Sequence, residues 1–127
     1  MKILVVNAGS SSHKLSLYDL KDQEPIEPLW KGSIDWGRKD QLLSLAIKTH
    51  HGIEIEQNLD NHQIEEGIHF LLNSLWQGKT QVIAGPSAIE CIGHRIVHGG
   101  AQFAQPIRIT PAVKEHIRQL IPLAPLH

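Results

Sequence analysis

A chain of 127 residues is long enough for one compact domain with its own hydrophobic core, and no more. Apolar residues make up 41% and charged residues 20%, an ordinary soluble balance, and the net charge of -1 excludes the broad basic surface that nucleic-acid binding needs. Cys91 is the only cysteine, which excludes an internal disulfide and fits a reducing compartment.

Met1-Lys2 precedes a short apolar run, Ile3 to Val6, before polar Asn7. That run is too short for a signal-peptide core, and no stretch approaches membrane-spanning length. The expectation is a cytoplasmic protein with no membrane or nucleic-acid partner. The run itself predicts a strand buried on both faces. After a polar stretch from Asn7 to Lys14, Leu15 to Leu20 alternates apolar and polar residues as a second strand. Lys21 to Pro28 reads as a connection.

Trp30, Gly32, Ile34 and Trp36 repeat with period two and predict a third strand. Leu43, Leu45 and Ile47, then Ile53 and Ile55, flank Thr49-His50-His51-Gly52 as a β-hairpin. A helix follows, capped by Asp60 or Asn61, with Ile64, Ile68, Leu71, Leu72, Leu75 and Trp76 at the helical period and Gly78 as its stop. Gly67 inside it costs roughly 1 kcal/mol relative to alanine. Ala88 to Val97 predicts another strand, closed by Gly99-Gly100. Thr110 caps a short helix that starts at Pro111, carries Val113, Ile117, Leu120 and Ile121 on one face, and ends at Pro122. The fold class is α/β, hairpin-connected strands first and helices afterwards.

Three stretches carry chemistry. The first is Asn7-Ala8-Gly9-Ser10-Ser11-Ser12-His13-Lys14, directly after a buried strand. Small residues let backbone amides approach an anion, hydroxyls add donors, and Lys14 adds a positive charge. The Asn7 carbonyl oxygen can face Mg²⁺ directly or through water. A Walker loop is excluded, since no Gly-Lys-Ser/Thr follows and no helix begins here. Strand, tight polar turn, strand resembles the phosphate hairpin of the sugar-kinase, Hsp70 and actin superfamily. A Ser/Gly hairpin turn with a solvated lysine explains the same residues equally well.

The second stretch is Gly93-His94-Arg95-Ile96-Val97-His98-Gly99-Gly100. The His94/His98 spacing suits zinc only on a helix, and the flanking glycines and β-branched residues argue for a strand. Alternation puts Arg95 and Val97 on one face and His94, Ile96 and His98 on the other. Arginine beside a small apolar side chain suits a short organic acid, the guanidinium pairing with the carboxylate. A structural ion pair is the competing reading for Arg95. The third stretch, Pro122 to His127, is extended by its prolines; Leu126 can enlarge an apolar pocket and His127 can donate to a phosphoryl oxygen.

Together the three stretches resemble the acetate kinase (acetokinase) family. Its Asn-x-Gly-Ser-Ser-Ser-x-Lys opening, Gly-His-Arg-x-Val-His-Gly-Gly strand and Pro-Leu-Ala-Pro-Leu-His segment occur in order at Asn7–Lys14, Gly93–Gly100 and Pro122–His127. His13 stands where the family usually has an aliphatic residue, and Leu15 where it often has an aromatic one.

The resemblance implies a ribonuclease H-like mixed sheet with flanking helices, here incomplete. Residues 1–127 would be a truncated amino-terminal domain, and the carboxy-terminal nucleotide-binding domain would lie outside the chain. It implies Mg²⁺-dependent, reversible transfer of the ATP γ-phosphoryl group to acetate, giving acetyl phosphate and ADP. Asn7 would serve the magnesium–phosphate end, Ser10, Ser12 and Lys14 the nucleotide phosphates, and Arg95 the acyl substrate. Val97 and Leu126 would line the methyl pocket, and His127 would face the phosphoryl group in flight. A homodimer is implied for the whole protein. Related alternatives are a propionate or butyrate kinase and a non-catalytic anion-binding or interaction module; the chain by itself is expected to be inactive.

Overall fold

The computed structural model describes residues 1–21, 27–36, 42–60, 64–96 and 99–123. Its compact units are Met1–Arg95 and Ile96–His127. The first holds a six-stranded sheet in the order β5-β4-β3-β2-β1-β6, built from β1 (Lys2–Ala8), β2 (Ser12–Asp19), β3 (Trp30–Asp35), β4 (Leu42–Thr49), β5 (Glu54–Asp60) and β6 (Cys91–Arg95). The first five strands form an antiparallel meander, as hairpin connections require. β6 returns beside β1 in parallel, which makes the sheet mixed. The helix α1 (Ile64–Asn73) lies between β5 and β6 in the chain and supplies the crossover that a parallel pairing needs.

The strand alternation sorts residues cleanly onto two faces. One face carries Leu4, Leu15, Leu17, Trp30, Ile34, Leu43, Leu45 and Ile47, all buried, with Leu71 of α1 and then Leu75 and Ile83 closing over them. At roughly 1.5–3 kcal/mol per buried large side chain, this layer supplies the main drive for folding. α1 packs against β3 and β4. Gly67 makes that approach possible: a Cβ there would sit 2.5 Å from Ile34 Cδ1. The helix-weakening glycine is therefore a packing residue.

The opposite face has no such cover among the described residues, and this corrects the reading of the first strand. Val5, expected to be buried, is 38% exposed, because an apolar run is buried on both faces only where a layer lies on each. The polar turn is also shorter than expected. β1 runs to Ala8 and β2 starts at Ser12, so Ser12 and Lys14 belong to a strand.

α1 stops at Asn73 rather than continuing through Trp76. Ser74 Oγ donates to the Leu71 carbonyl at 2.6 Å, and the amides of Val82 and Ile83 donate to the Leu75 carbonyl at 2.9 and 3.1 Å. These bonds replace another helical turn, while Leu75 stays fully buried. Gly78, with φ of 75°, opens a 3-10 turn over Gly78–Thr80. Asp60 closes β5, and Asn61 lies outside the described residues. β6 is shorter than Ala88–Val97: Ala88 ends a 3-10 turn, and the ladder to β1 begins once Glu90 N donates to the Lys2 carbonyl at 2.9 Å.

The second unit contains α2 (Pro111–Gln119), with Pro111 in its first turn and Thr110 Oγ1 accepting from Val113 N at 3.3 Å, as the sequence predicts. Pro122 does not end α2. It lies inside a following 3-10 turn, Ile121–Leu123, where its fixed φ is compatible with the backbone.

Candidate active site

The Asn7–Lys14 stretch folds as the tip of the β1–β2 hairpin. Pairing runs from Lys2↔Asp19 to Ala8↔His13, leaving Gly9 to Ser12 between the last paired residues. Gly9 N donates to the Ser12 carbonyl at 2.7 Å, and a Cβ at Gly9 would lie 3.2 Å from that oxygen, tighter than most side chains tolerate. The Ser11 carbonyl accepts from Trp36 N at 2.9 Å, tying the tip to the end of β3. Ser10 and Ser11 are left exposed, with their hydroxyls at the end of the sheet.

Register then brings the charged residues together. Asn7 pairs with Lys14 on one side and with Arg95 on the other. Residues directly opposite one another share a face, so Lys14, Asn7 and Arg95 form one row across β2, β1 and β6. Their backbones span two strand spacings, about 10 Å. Ser12 lies on the same face one step nearer the tip, opposite Asp35. Lys14 and Arg95 are exposed, and Asn7 is half-buried between them. A guanidinium, an amide and an ammonium facing one way, with serine hydroxyls at one end, are a set of donors of the kind that can hold oxyanions.

The remaining candidates, Val97, Leu126 and His127, lie outside the described residues, as does His98. Among the described residues no group of three or more His, Cys, Asp or Glu can hold a metal ion. Asn7 offers one neutral oxygen. That fits Mg²⁺ only as one ligand among several, the rest coming from phosphate and water.

Sequence reasoning missed what supports the hairpin from its other face. The His13 ring packs against Trp36 at a tilt of 39°, with centroids 4.9 Å apart. This contact gives the His13 ring a packing role at the hairpin. The period-two run ending in Trp36 marked the strand, but only the register sets His13 opposite Ile34, one step along the same face from Trp36. Burial, reinforced by charge on His94, holds the His13 pKa below its ordinary value of 6.5. The unfolded chain then takes up this proton at higher pH than the folded one. Stability from this residue is complete above the unfolded value and declines as pH falls through it. Urea denaturation at about pH 7.5 and about pH 5 should show the chain losing more stability than a His13→Leu variant; equal losses would contradict this.

With this geometry in place, the comparisons decide the family. The acetokinase family model matches residues 2–127. The chain belongs to the acetokinase family. An acetate kinase of Microcystis aeruginosa (strain NIES-843 / IAM M-2473) is 46% identical over 129 residues, covering 100% of this chain and 32% of the relative. The crystal structure of Porphyromonas gingivalis acetate kinase superposes with a TM-score of 0.81 at 32% identity, over 99% of this chain and 31% of that one. A propionate kinase from Francisella tularensis subsp. tularensis SCHU S4 gives 0.77 at 31% identity, over 99% and 30%.

This acetokinase chain thus spans about a third of the length of the relatives it matches. Its antiparallel meander with a parallel return strand is the start of the actin/Hsp70/sugar-kinase fold. No helix among its described residues is long and apolar enough to cross a membrane.

Proposed function

We propose that this acetokinase-family chain is the amino-terminal part of a kinase that transfers the γ-phosphoryl group of ATP reversibly to acetate, giving acetyl phosphate and ADP. The observation that carries the reading is the single-face row of Lys14, Asn7 and Arg95 beside a serine-tipped hairpin. A carboxylate with an ordinary pKa near 4 is already ionised at neutral pH, so the reaction needs no strong base. It needs two anions brought into line and their charge neutralised.

Arg95 grips the acetate carboxylate in a bidentate fork and aims one oxygen at phosphorus. Lys14, with Ser10 and Ser12, holds the nucleotide phosphates. Val97 and Leu126 border the methyl group, and His127 donates to the phosphoryl oxygens as charge builds on them. Mg²⁺ bound to the ATP phosphates would neutralise charge there, with the Asn7 carbonyl as one of its ligands.

The carboxy-terminal nucleotide-binding domain lies outside this chain in this reading, and so does most of the interface of the homodimer. The chain alone is inactive, because half of a charge clamp gives little transition-state stabilisation. The lone Cys91 fits the reducing compartment of a cytoplasmic enzyme. A propionate kinase is the second reading, favoured by the propionate kinase of similar fold.

Trapping the acyl phosphate as a hydroxamate tests both readings. A protein of the relatives' full length beginning with this chain should convert ATP and acetate, while the 127-residue chain does not. Faster turnover of propionate than acetate would select the second reading. No acyl phosphate from any short carboxylate would leave a non-catalytic module.

A further inference from the structure

The uncovered face continues past Lys14 into a cavity of about 460 Å³ lined at one side by Lys14, Ser16, Tyr18, Lys31 and Ser33 and at the other by Lys48, Glu54 and Glu56. The sequence repeats a pattern there: Lys14-Leu15-Ser16 on β2 and Lys31-Gly32-Ser33 on β3. The strands run antiparallel, with Lys14 opposite Ser33 and Ser16 opposite Lys31. All four side chains therefore point to one face, lysines on one diagonal and serines on the other. The diagonal is roughly 7–8 Å, short enough for both ammonium groups to lean over one oxyanion while the hydroxyls donate from the remaining corners.

The surrounding charge favours an anion at this block. Lys31 also opposes Lys48, an unfavourable like-charge pair on adjacent strands. Lys48 is paired with Glu54 at 3.3 Å, whereas among the described residues no ion pair engages Lys14 or Lys31. Glu54 and Glu56 line the far side of the same cavity on β5, two strand spacings from Lys31 and three from Lys14, or about 10 and 14 Å along the sheet, so the carboxylates are not in contact with the block. Asp35 is nearer, opposite Ser12 at the edge of the block, and already has an interaction of its own.

We infer that the Lys14–Ser16–Lys31–Ser33 block is a second anion site that takes a tetrahedral phosphate group. It shares Lys14 with the proposed kinase site but does not depend on that reading. The phosphate is either free or the end of a small phosphomonoester, since the cavity extends beyond the block toward Tyr18.

Titration of the 127-residue chain with inorganic phosphate, followed residue by residue by amide NMR, tests this. Saturable shifts are expected at Ser16, Lys31 and Ser33. Replacing exposed Lys31 by methionine should weaken binding about tenfold or more, while Lys79→Met, a control for general charge, leaves it within about twofold. A parallel titration with glycerol phosphate separates the sources. Tighter binding than inorganic phosphate assigns the site to an organic phosphate, and equal or weaker binding assigns it to the free ion. Shifts confined to Gly9–Ser12, or equal phosphate affinity in K31M and the unaltered chain, would overturn the site. Absence of acetate turnover in the longer protein would leave it standing.

Discussion

Replacing Arg95 with alanine in the full-length protein is expected to lower kcat/KM for the carboxylate by about a hundredfold or more. The guanidinium closes the row with Asn7 and Lys14, at the end of β6. In the proposed site its removal would leave the substrate carboxylate without the fork that fixes its orientation, so position and charge would be lost together. Lysine in its place restores the charge but not the fork, and should recover only part of the activity. Arg95 is exposed, so neither substitution threatens the core, and far-UV circular dichroism should be unchanged. If both variants keep full activity with acetate, Arg95 is an ordinary surface cation and the carboxylate binds elsewhere.

The largest effect on stability is expected from Trp30→Ala. Trp30 is 0% exposed and sits in β3 between Leu17 of β2 and Thr49 of β4. Its ring lies over Gly32, where a Cβ would come within 2.7 Å of Trp30 Cζ2. Glycine at position 32 thus gives the indole its room, and the indole fills the centre of the sheet.

Truncating such a residue costs about 3–5 kcal/mol, a large share of the total stability of about 5–15 kcal/mol for a domain. Trp30 Nε1 is buried without a partner among the described residues, so phenylalanine, which removes that orphan donor, should cost much less than alanine. Urea unfolding followed by circular dichroism measures both. A Trp30→Ala midpoint matching that of the unaltered chain would mean the indole does not organise this core.

Much of the fold was legible from alternation. Leu15 and Leu17, Trp30 to Ile34, and Leu43 to Ile47 announce strands with one buried face, and they form that face. Alternation failed where burial depends on layers a local pattern cannot reveal, as at Val5. Helical periodicity failed where other hydrogen bonds intervene, as where Ser74 Oγ donates to the Leu71 carbonyl and the Leu75 carbonyl accepts from the amides of Val82 and Ile83.

The candidate site was legible as residue types and, through the family resemblance, as one site shared by the serine-rich turn and Arg95, but not as a row. Asn7 and Lys14 announce an anion site by composition, but the row they form with Arg95 follows from a pairing 88 residues apart in the chain. A slip of one residue in that register would turn Arg95 to the opposite face. The Lys14–Ser16–Lys31–Ser33 block escaped for the same reason. Each Lys-x-Ser is unremarkable alone, and only the antiparallel register sets lysine against serine.

The most direct measurement is paramagnetic broadening by Mn²⁺·ATP, with acetate present, in the full-length protein. Resonances of Asn7, Lys14 and Arg95 should broaden together, while Leu4, Leu17 and Ile47 on the covered face stay sharp. Broadening at one of the three residues without the others, or on the covered face instead, would contradict a shared anion-holding row.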